Sequence, residues 1–600
     1  MLGMDTETER FGPGNMAPRL VCMSLAIGDG ADVLHHSDVT YDLLCELLEE
    51  EIVGHNIAYD AAVLCRHQPR ITRALFEAYL AERIHDTMLR EQLIANSQGM
   101  LMHGGGYSLA HLSHKYLKHA LDKETYRLSY GELHDLSLDE WPPGAIEYAK
   151  EDARAPSKIY DAQGDVADGA RQAAYSFAYR LMTCWGMITD AARVEALRVR
   201  THADMGVLRR ALIAAGLMKV KASGKNKGKV SRDLKAIRAA VQKAYGDRAP
   251  RTEKGNISTS RETVSAHPQL KTVADFVSLQ KLDSTYIRVL EEGTRGTIHA
   301  EYHMLATGRR GANKNAQTLP KQGGVRECYR PRDGCVFANI DYDTVELRTW
   351  SQVMVNLFGI DRVPMALMYR DDPDADPHTK FGAEYFLNIS YEEGLALKAA
   401  GDPAMKKARQ ASKAANFGFP GGLGAPRFVE YAFNNYGYEI SEREAKRMKS
   451  AWASTWGAQR YFDWVGHQEK KGWVEQHWSK RIRGGLKYCD LSNTMFQGLA
   501  ADGSALSLFI LSMVCYAVED AVLYGSRPVG FSHDEALIEV PISVASRCLK
   551  DAEKIMVTGM QQVCPDVPIR VSGVLTDRYT KDAPRIVDLD GEVLVHHVAA

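Results

Sequence analysis

Apolar and polar positions mark a few strands and helices sharply. The run Val336 to Ile340 is apolar and ends on Asp341, and a segment with helical spacing follows, carrying Glu346 and Arg348. This predicts a buried strand that delivers one carboxylate to its carboxyl end, where a sheet commonly meets its ligand. Pro528 to Pro541, PVGFSHDEALIEVP, reads as two short strands around His533, Asp534 and Glu535. Leu537, Glu539 and Pro541 fall on one face, Ile538 and Val540 on the other. If the two stretches converge, Asp341 and Asp534 form an oxygen-rich pocket suited to Mg²⁺. The near-apolar run Ala505 to Val518 is too short and too interrupted by serine for a membrane span, and predicts a buried helix.

Nearer the start, Asp5 and Glu7 stand two apart in an extended stretch, so both side chains leave one face of a strand. GHNIAYDAAVL places Asn56 and Asp60 at i and i+4 on a helix, and EYAKEDA does the same for Tyr148 and Asp152. Four carboxylates from one strand and two helices suit two divalent ions, with Tyr148 to orient an attacking water. Asp5 leaves only Met1 to Met4 for the strand before it, so that strand is very short or the true start lies upstream.

Residues 171 to 215 carry helical Leu, Met and Ala stripes, and Asp190 is placed as a helix cap. Lys219 to Lys229 form a lysine loop with no acid. Ser258 or Ser260 caps the next helical stretch, which continues through LQKLDSTYIRVL. Further on, Asp402 as N-cap and Pro403 at the first helical position open a helix. Lys406, Arg409, Lys413 and Phe417 recur along one face of it. Pro420 predicts that this helix stops or kinks near Gly418.

A chain of 600 residues exceeds one core, so several domains are expected. The net charge of −2 does not mark a nucleic-acid binder, yet His303 to Arg332 holds seven Lys or Arg against one acid. Basic patches on a neutral chain fit cationic grooves beside acidic catalytic centres. Ten cysteines without a CxxC pair fit reduced thiols in a cytosol. The first residues lack the basic and apolar regions of a signal peptide.

The order DxE, NxxxD, YxxxD, together with His85-Asp86-Thr87 and the helix-like Ser108 to Leu117, resembles the DnaQ-like 3′–5′ proofreading exonucleases. That resemblance implies an RNase H-like α/β fold, with Asp5, Glu7, Asp60 and Asp152 holding two divalent ions. From residue 300 onward the chain resembles family A DNA polymerases, in particular the exonuclease-plus-polymerase large fragment of bacterial polymerase I. ATGRRGANKNAQTLP, DYDTVELR, RQASKAANFGFPGG, SNTMFQGLAAD and SHDE carry the likeness, and STSRETV and LQKLDSTY match the family's thumb.

The resemblance implies a mixed α/β, multidomain chain. An exonuclease domain at 1–162 precedes a right-hand polymerase domain at 163–600, with thumb about 170–296, palm about 297–356 and 489–600, and fingers about 357–488. It implies dNTP addition to a primer 3′ end, with Asp341 and Asp534 holding two Mg²⁺ (Mn²⁺ as an alternative) and Glu535 supporting the primer-side metal region. Arg409 and Lys413 would grip the triphosphate, with His378 beside it. Phe417 would stand beside the incoming sugar and base, implying discrimination against dideoxynucleotides. Glu346 matches the sugar gate that rejects a ribose 2′-hydroxyl. Arg309, Asn315, Gln317, Asn493, Gln497 and His533 would touch primer or template.

One departure stands out: the family has Tyr-Gly where this chain has Gly421-Gly422, and Phe419 is expected to move in and cap the nascent base pair. Primer–template DNA and dNTPs are the expected partners of a cytoplasmic, monomeric, membrane-independent enzyme of phage type, in the host cytoplasm if phage-encoded, with no 5′-nuclease domain before residue 1. The competing readings are a nuclease whose second half only grips DNA, a non-catalytic replisome scaffold, and an RNA polymerase. The metal carboxylates argue against the first two and Glu346 against the third.

Overall fold

The computed structural model describes residues 1–600 apart from 102–105, 122–124, 127, 221–229, 253, 266, 581–582 and 599–600. Most of the lysine loop therefore lies outside the described residues. The first unit is a five-stranded sheet in the order Gly30–His35, Leu20–Ile27, Leu2–Thr8, Ile52–Gly54, Ile84–Asp86. The first three strands pair antiparallel and the last two add in parallel. The central strand begins at Leu2, and Leu2 and Met4 are buried in the core before Asp5 emerges. Parallel strands need crossovers, and the helices Ala58–His67 and Thr72–Leu80 supply the one between Ile52–Gly54 and Ile84–Asp86.

The sheet's chemistry sits at strand ends. Asp86 closes its strand and caps the helix Thr87–Ser97, accepting from the N–H groups of Met88 (2.8 Å) and Leu89 (3.1 Å). Its carboxylate also accepts from Asn56 N (3.2 Å) and Ile57 N (3.1 Å). That holds Asn56 in the left-handed region at φ 60°, which aims the following helix and its Asp60 at the Asp5 strand.

The helices Gly169–Trp185 and Ala191–Ala214 follow, the second capped by Asp190 as expected. Ser260 rather than Ser258 caps Arg261–Ser265, its Oγ accepting from Thr263 N (3.3 Å). The run through Leu279 to Leu290 is helical throughout, with a wide-turn stretch Leu282–Ile287 in its middle.

A second sheet, of six strands, has the order Arg527–Ser532, Glu535–Pro541, Cys335–Tyr342, Val571–Thr576, Val593–His596, Ile586–Val587. Behind it runs the helix Tyr488–Ala517. The buried helix expected from Ala505 to Val518 is there, within a longer one: at 30 residues it is long and apolar enough to cross a membrane, the only such helix among the described residues, yet 78% of its most apolar window is buried inside the fold. It is a core helix. Between Phe358 and Tyr488 the chain is nearly all helical around a core of Trp350, Trp452, Trp456 and Tyr461.

Beside shared apolar packing, where Phe76 meets Phe509 at 5.3 Å, two polar or backbone junctions join distant parts of the chain. A buried ion cluster joins distant segments: Arg481 Nη1 donates to Asp168 Oδ2 (2.6 Å) and Asp502 Oδ1 (2.8 Å), and Nη2 to Thr307 O (3.2 Å). The hairpin Trp473–Glu475 and Ile482–Gly484 also lies directly on the end of the Thr87–Ser97 helix. A Cβ on Gly484 would come within 2.1 Å of the Ser97 carbonyl oxygen, and Asn96 Nδ2 bridges Ala306 O (3.1 Å) and Ile482 O (3.3 Å).

Candidate active sites

Cys335–Tyr342 pairs antiparallel with Glu535–Pro541, with Asp341 opposite Glu535. Directly opposed residues send their side chains to one face, so Asp341 and Glu535 share that face while Asp534 sits at the hairpin's tip. Tyr342 N reaches Asp534 O at 3.4 Å. Two residues flanking the acids adopt left-handed backbone, His533 at φ 61° and Thr344 at φ 51°. For a β-branched threonine this is an outlier, and such strain clusters where geometry serves function.

A cleft of about 440 Å³ opens here, lined by Arg309, Tyr342, Thr344, Val345, Glu346, His378, Arg409, Lys413, Phe417, His533 and Asp534. The helix Pro403–Gly418 supplies Arg409, Lys413 and Phe417 from one face. It starts with Asp402 as cap and Pro403, and stops at Gly418 as Pro420 predicted. Lys406, on the same stripe, is exposed and does not line the cleft. His378 is buried, its Nδ1 paired with Asn416 Nδ2 (2.9 Å) and its ring 5.1 Å from Phe417. Burial pushes its pKa down to about 3, so it stands in the cleft as a neutral ring. Arg309 forms an ion pair with Glu346 inside the cleft.

Several predicted contact residues turn out to be held by protein. Glu535 is only 4% exposed, with Arg326 3.5 Å from its carboxylate, and stands beside Asp341 on the neighbouring strand. Asn493 Nδ2 donates to Gly421 O (3.2 Å) and Cys489 O (2.8 Å), and Gln497 reaches Asn493 Oδ1 at 3.4 Å. Gln317 Nε2 donates to Phe531 O (3.3 Å) behind the His533 turn. Asn315 lies in a left-handed turn at φ 56°, outside the cleft.

The expectation for Phe419 is wrong. Its ring is fully buried, stacked on Phe428 at 4.2 Å and tilted against Trp452 at 5.7 Å. The turn after Gly418 rotates it into the apolar core, and Asn493 fills the space beside Gly421, where a Cβ would meet its Oδ1 at 2.6 Å.

The second centre is in the first sheet unit, a cleft of about 710 Å³ lined by Asp5, Glu7, Asn56, Asp60, Tyr148 and Asp152 among others. Oxygens of Asp5, Glu7 and Asp152 lie within 4.8 Å of one another, a donor set of three carboxylates that fits a hard divalent ion. Asp60 lies outside that trio. Its Oδ1 accepts from Thr6 N (3.0 Å) and Thr6 Oγ1 (2.5 Å), and burial pushes its pKa up to about 7.

Sequence reasoning missed the roles of Asp86, Thr6 and Tyr59, the last paired with Thr8 Oγ1 at 2.7 Å. Only Asp86 carried a signal, an acid between a strand and a helix.

Residues 232–581 match the profile of DNA polymerase family A, and residues 1–163 that of a 3′–5′ exonuclease. The chain belongs to DNA polymerase family A. It is a DNA-directed DNA polymerase that carries an N-terminal 3′–5′ exonuclease domain. It is 24% identical over 558 residues to DNA polymerase I of Aquifex aeolicus, covering 89% of this chain and 88% of that one. It is also 25% identical over 329 residues to the thermostable DNA polymerase I of Thermus aquaticus, where the match spans 36% of that protein. A similar solved fold is the POL domain of Pol1 from M. smegmatis in complex with DNA primer-template and dNTP. That comparison has a TM-score of 0.69 and 18% identity, and covers 96% of this chain and 95% of that one.

Proposed function

We propose that this family A polymerase adds dNTPs to a primer 3′ end at the Asp341–Asp534 cleft and trims that end at the Asp5–Glu7–Asp152 cleft. The carrying observation is that strand pairing sets Asp341 beside the turn that carries Asp534, and that Asp534 lines a cleft whose other wall is cationic and aromatic. Asp341 and Asp534 would hold Mg²⁺ in the first centre. Asp5, Glu7 and Asp152, with Asp60 entering once released from Thr6, would hold divalent ions in the second. Ions held by these residues would supply activation of the attacking oxygen and neutralisation of charge on the leaving one.

The protein's own part is positioning and charge. Arg409 and Lys413 take the triphosphate, and neutral His378 donates or accepts one hydrogen bond without adding charge. Phe417 offers a face to the sugar and base. Glu346, released from Arg309 when that guanidinium turns to the primer end, closes the space a 2′-hydroxyl needs. In the trimming site Tyr148 orients the attacking water. The proposed layout is exonuclease 1–162, thumb about 170–296, palm about 297–356 with 489–600, and fingers about 357–488.

The test is extension of a primed template with Mg²⁺ and dNTPs or rNTPs, beside primer degradation without nucleotides. Asp341→Ala abolishes extension alone and Asp5→Ala degradation alone. Loss of both activities in either variant refutes the two-site assignment.

A further inference from the structure

At the rim of the polymerase cleft one carboxylate is shared by two cations from different helices. Asp376 caps the helix Pro377–Phe381, its Oδ1 accepting from the N–H groups of His378 (3.0 Å) and Thr379 (3.1 Å). Its Oδ2 accepts from Arg409 Nε (2.9 Å), Lys398 Nζ (2.8 Å) and Thr379 Oγ1 (2.8 Å). The Asp376 N–H donates to the Tyr391 hydroxyl at 2.8 Å. Backbone and side chain are both pinned, so the acid cannot swing away. It is 11% exposed, whereas Lys398, in the last turn of Tyr391–Ala399, is 45% exposed.

Because Lys398 and Arg409 meet at one oxygen, the Lys398 ammonium stands at the same rim as a residue that lines the cleft. Its charge reaches inward: it acts on His378 and, with Arg409 and Lys321, on Lys413. Arg409, Lys398 and Lys321 therefore all act on Lys413, and Asp376 is the acid that acts on it with them. One carboxylate leaves this corner strongly positive, and a multiply charged anion is what such a field attracts. Lysine here acts as a mobile point charge that can leave a shared carboxylate for a phosphate within its own reach.

We propose that Lys398 is a further ligand for the terminal phosphate of the incoming nucleotide, and for the pyrophosphate that leaves. Asp376 holds Lys398 and Arg409 at the rim until that anion arrives. The assignment rests on the polymerase reading of this cleft.

The test compares wild type, Lys398→Ala and Lys398→Arg in the full chain. The measurements are dNTP incorporation, exchange of labelled pyrophosphate into dNTP, and calorimetric binding of magnesium pyrophosphate. Lys398→Ala raises the dNTP KM and weakens pyrophosphate binding about tenfold, the scale of one charge-assisted contact. Exonuclease rate and unfolding temperature stay unchanged, and arginine restores most of the loss. A purely structural ion pair moves the unfolding temperature and leaves pyrophosphate affinity alone, and that result overturns the assignment. A wild-type chain that binds pyrophosphate Lys398-dependently but incorporates no dNTP refutes the polymerase reading instead.

Discussion

Removing the cation at the centre of the Arg481 cluster should unfold the enzyme's frame in a pH-dependent way. The side chains of Arg481, Asp168 and Asp502 are 2%, 0% and 1% exposed. Arg481→Met keeps most of the volume but leaves two carboxylates facing each other in the core. Breaking a buried ion cluster by deleting one partner costs about 3–5 kcal/mol. With a slope of roughly 3 kcal/mol per molar urea, the unfolding midpoint falls by about 1 M or more. Burial already pushes the Asp502 carboxyl up, against the pull of Arg481, and without the guanidinium it rises further. A carboxyl whose pKa is higher folded than unfolded binds more protons in the folded state. Stability of the variant therefore falls as pH rises, and the loss is larger at pH 8 than at pH 5. Adding Asp168→Asn and Asp502→Asn removes the trapped charges and returns part of the stability. Urea melts of wild type and the two variants at both pH values decide it. A midpoint shift under a few tenths of a molar, or a greater loss at pH 5, refutes the reasoning.

Phe419→Ala should cost about 3–5 kcal/mol, as expected for a buried ring lost from a packed core, while misinsertion frequency at permissive temperature stays at the wild-type value. His378, at about 3 when folded against 6.5 ordinarily, takes up more protons unfolded than folded between those values. Its contribution is thus present above pH 6.5 and lost as pH falls toward 3, at about 1.4 kcal/mol per unit. Melts from pH 7 to pH 5 should show His378→Gln about 2 kcal/mol less acid-sensitive than wild type. Gly484→Val pushes a side chain into the Ser97 carbonyl. Limited proteolysis should then cut between the first sheet unit and the rest faster than in wild type, while an isolated glycine-free loop change elsewhere leaves the pattern unaltered.

The chemistry was legible wherever it followed a local period. The acids at 5 and 7 share one strand, 341 and 534 stand at or just past strand ends, and 60 and 152 lie on helices, although Asn56 precedes the Asp60 helix instead of sharing its face; five of the six line the two clefts while Asp341 adjoins one. The helix stop at Gly418 was legible from one proline, because a missing N–H acts within a single turn. What followed that turn was not. Whether Phe419 faced substrate or core depended on Phe428, Trp452 and Asn493, which no spacing rule connects to it. The same holds for Arg481, whose partners lie 313 and 21 residues away in sequence. Asn493 was read as touching primer or template for the same reason: a polar residue in a motif looks alike whether it meets ligand or protein.

The glycine at 484 has a consequence for how the two active sites share one substrate. With peptide backbone pressed against peptide backbone at Ser97 and Gly99, that junction has no slack for a hinge. On the proposed two-site reading, a mispaired terminus therefore travels between two fixed clefts, and neither cleft swings to meet it.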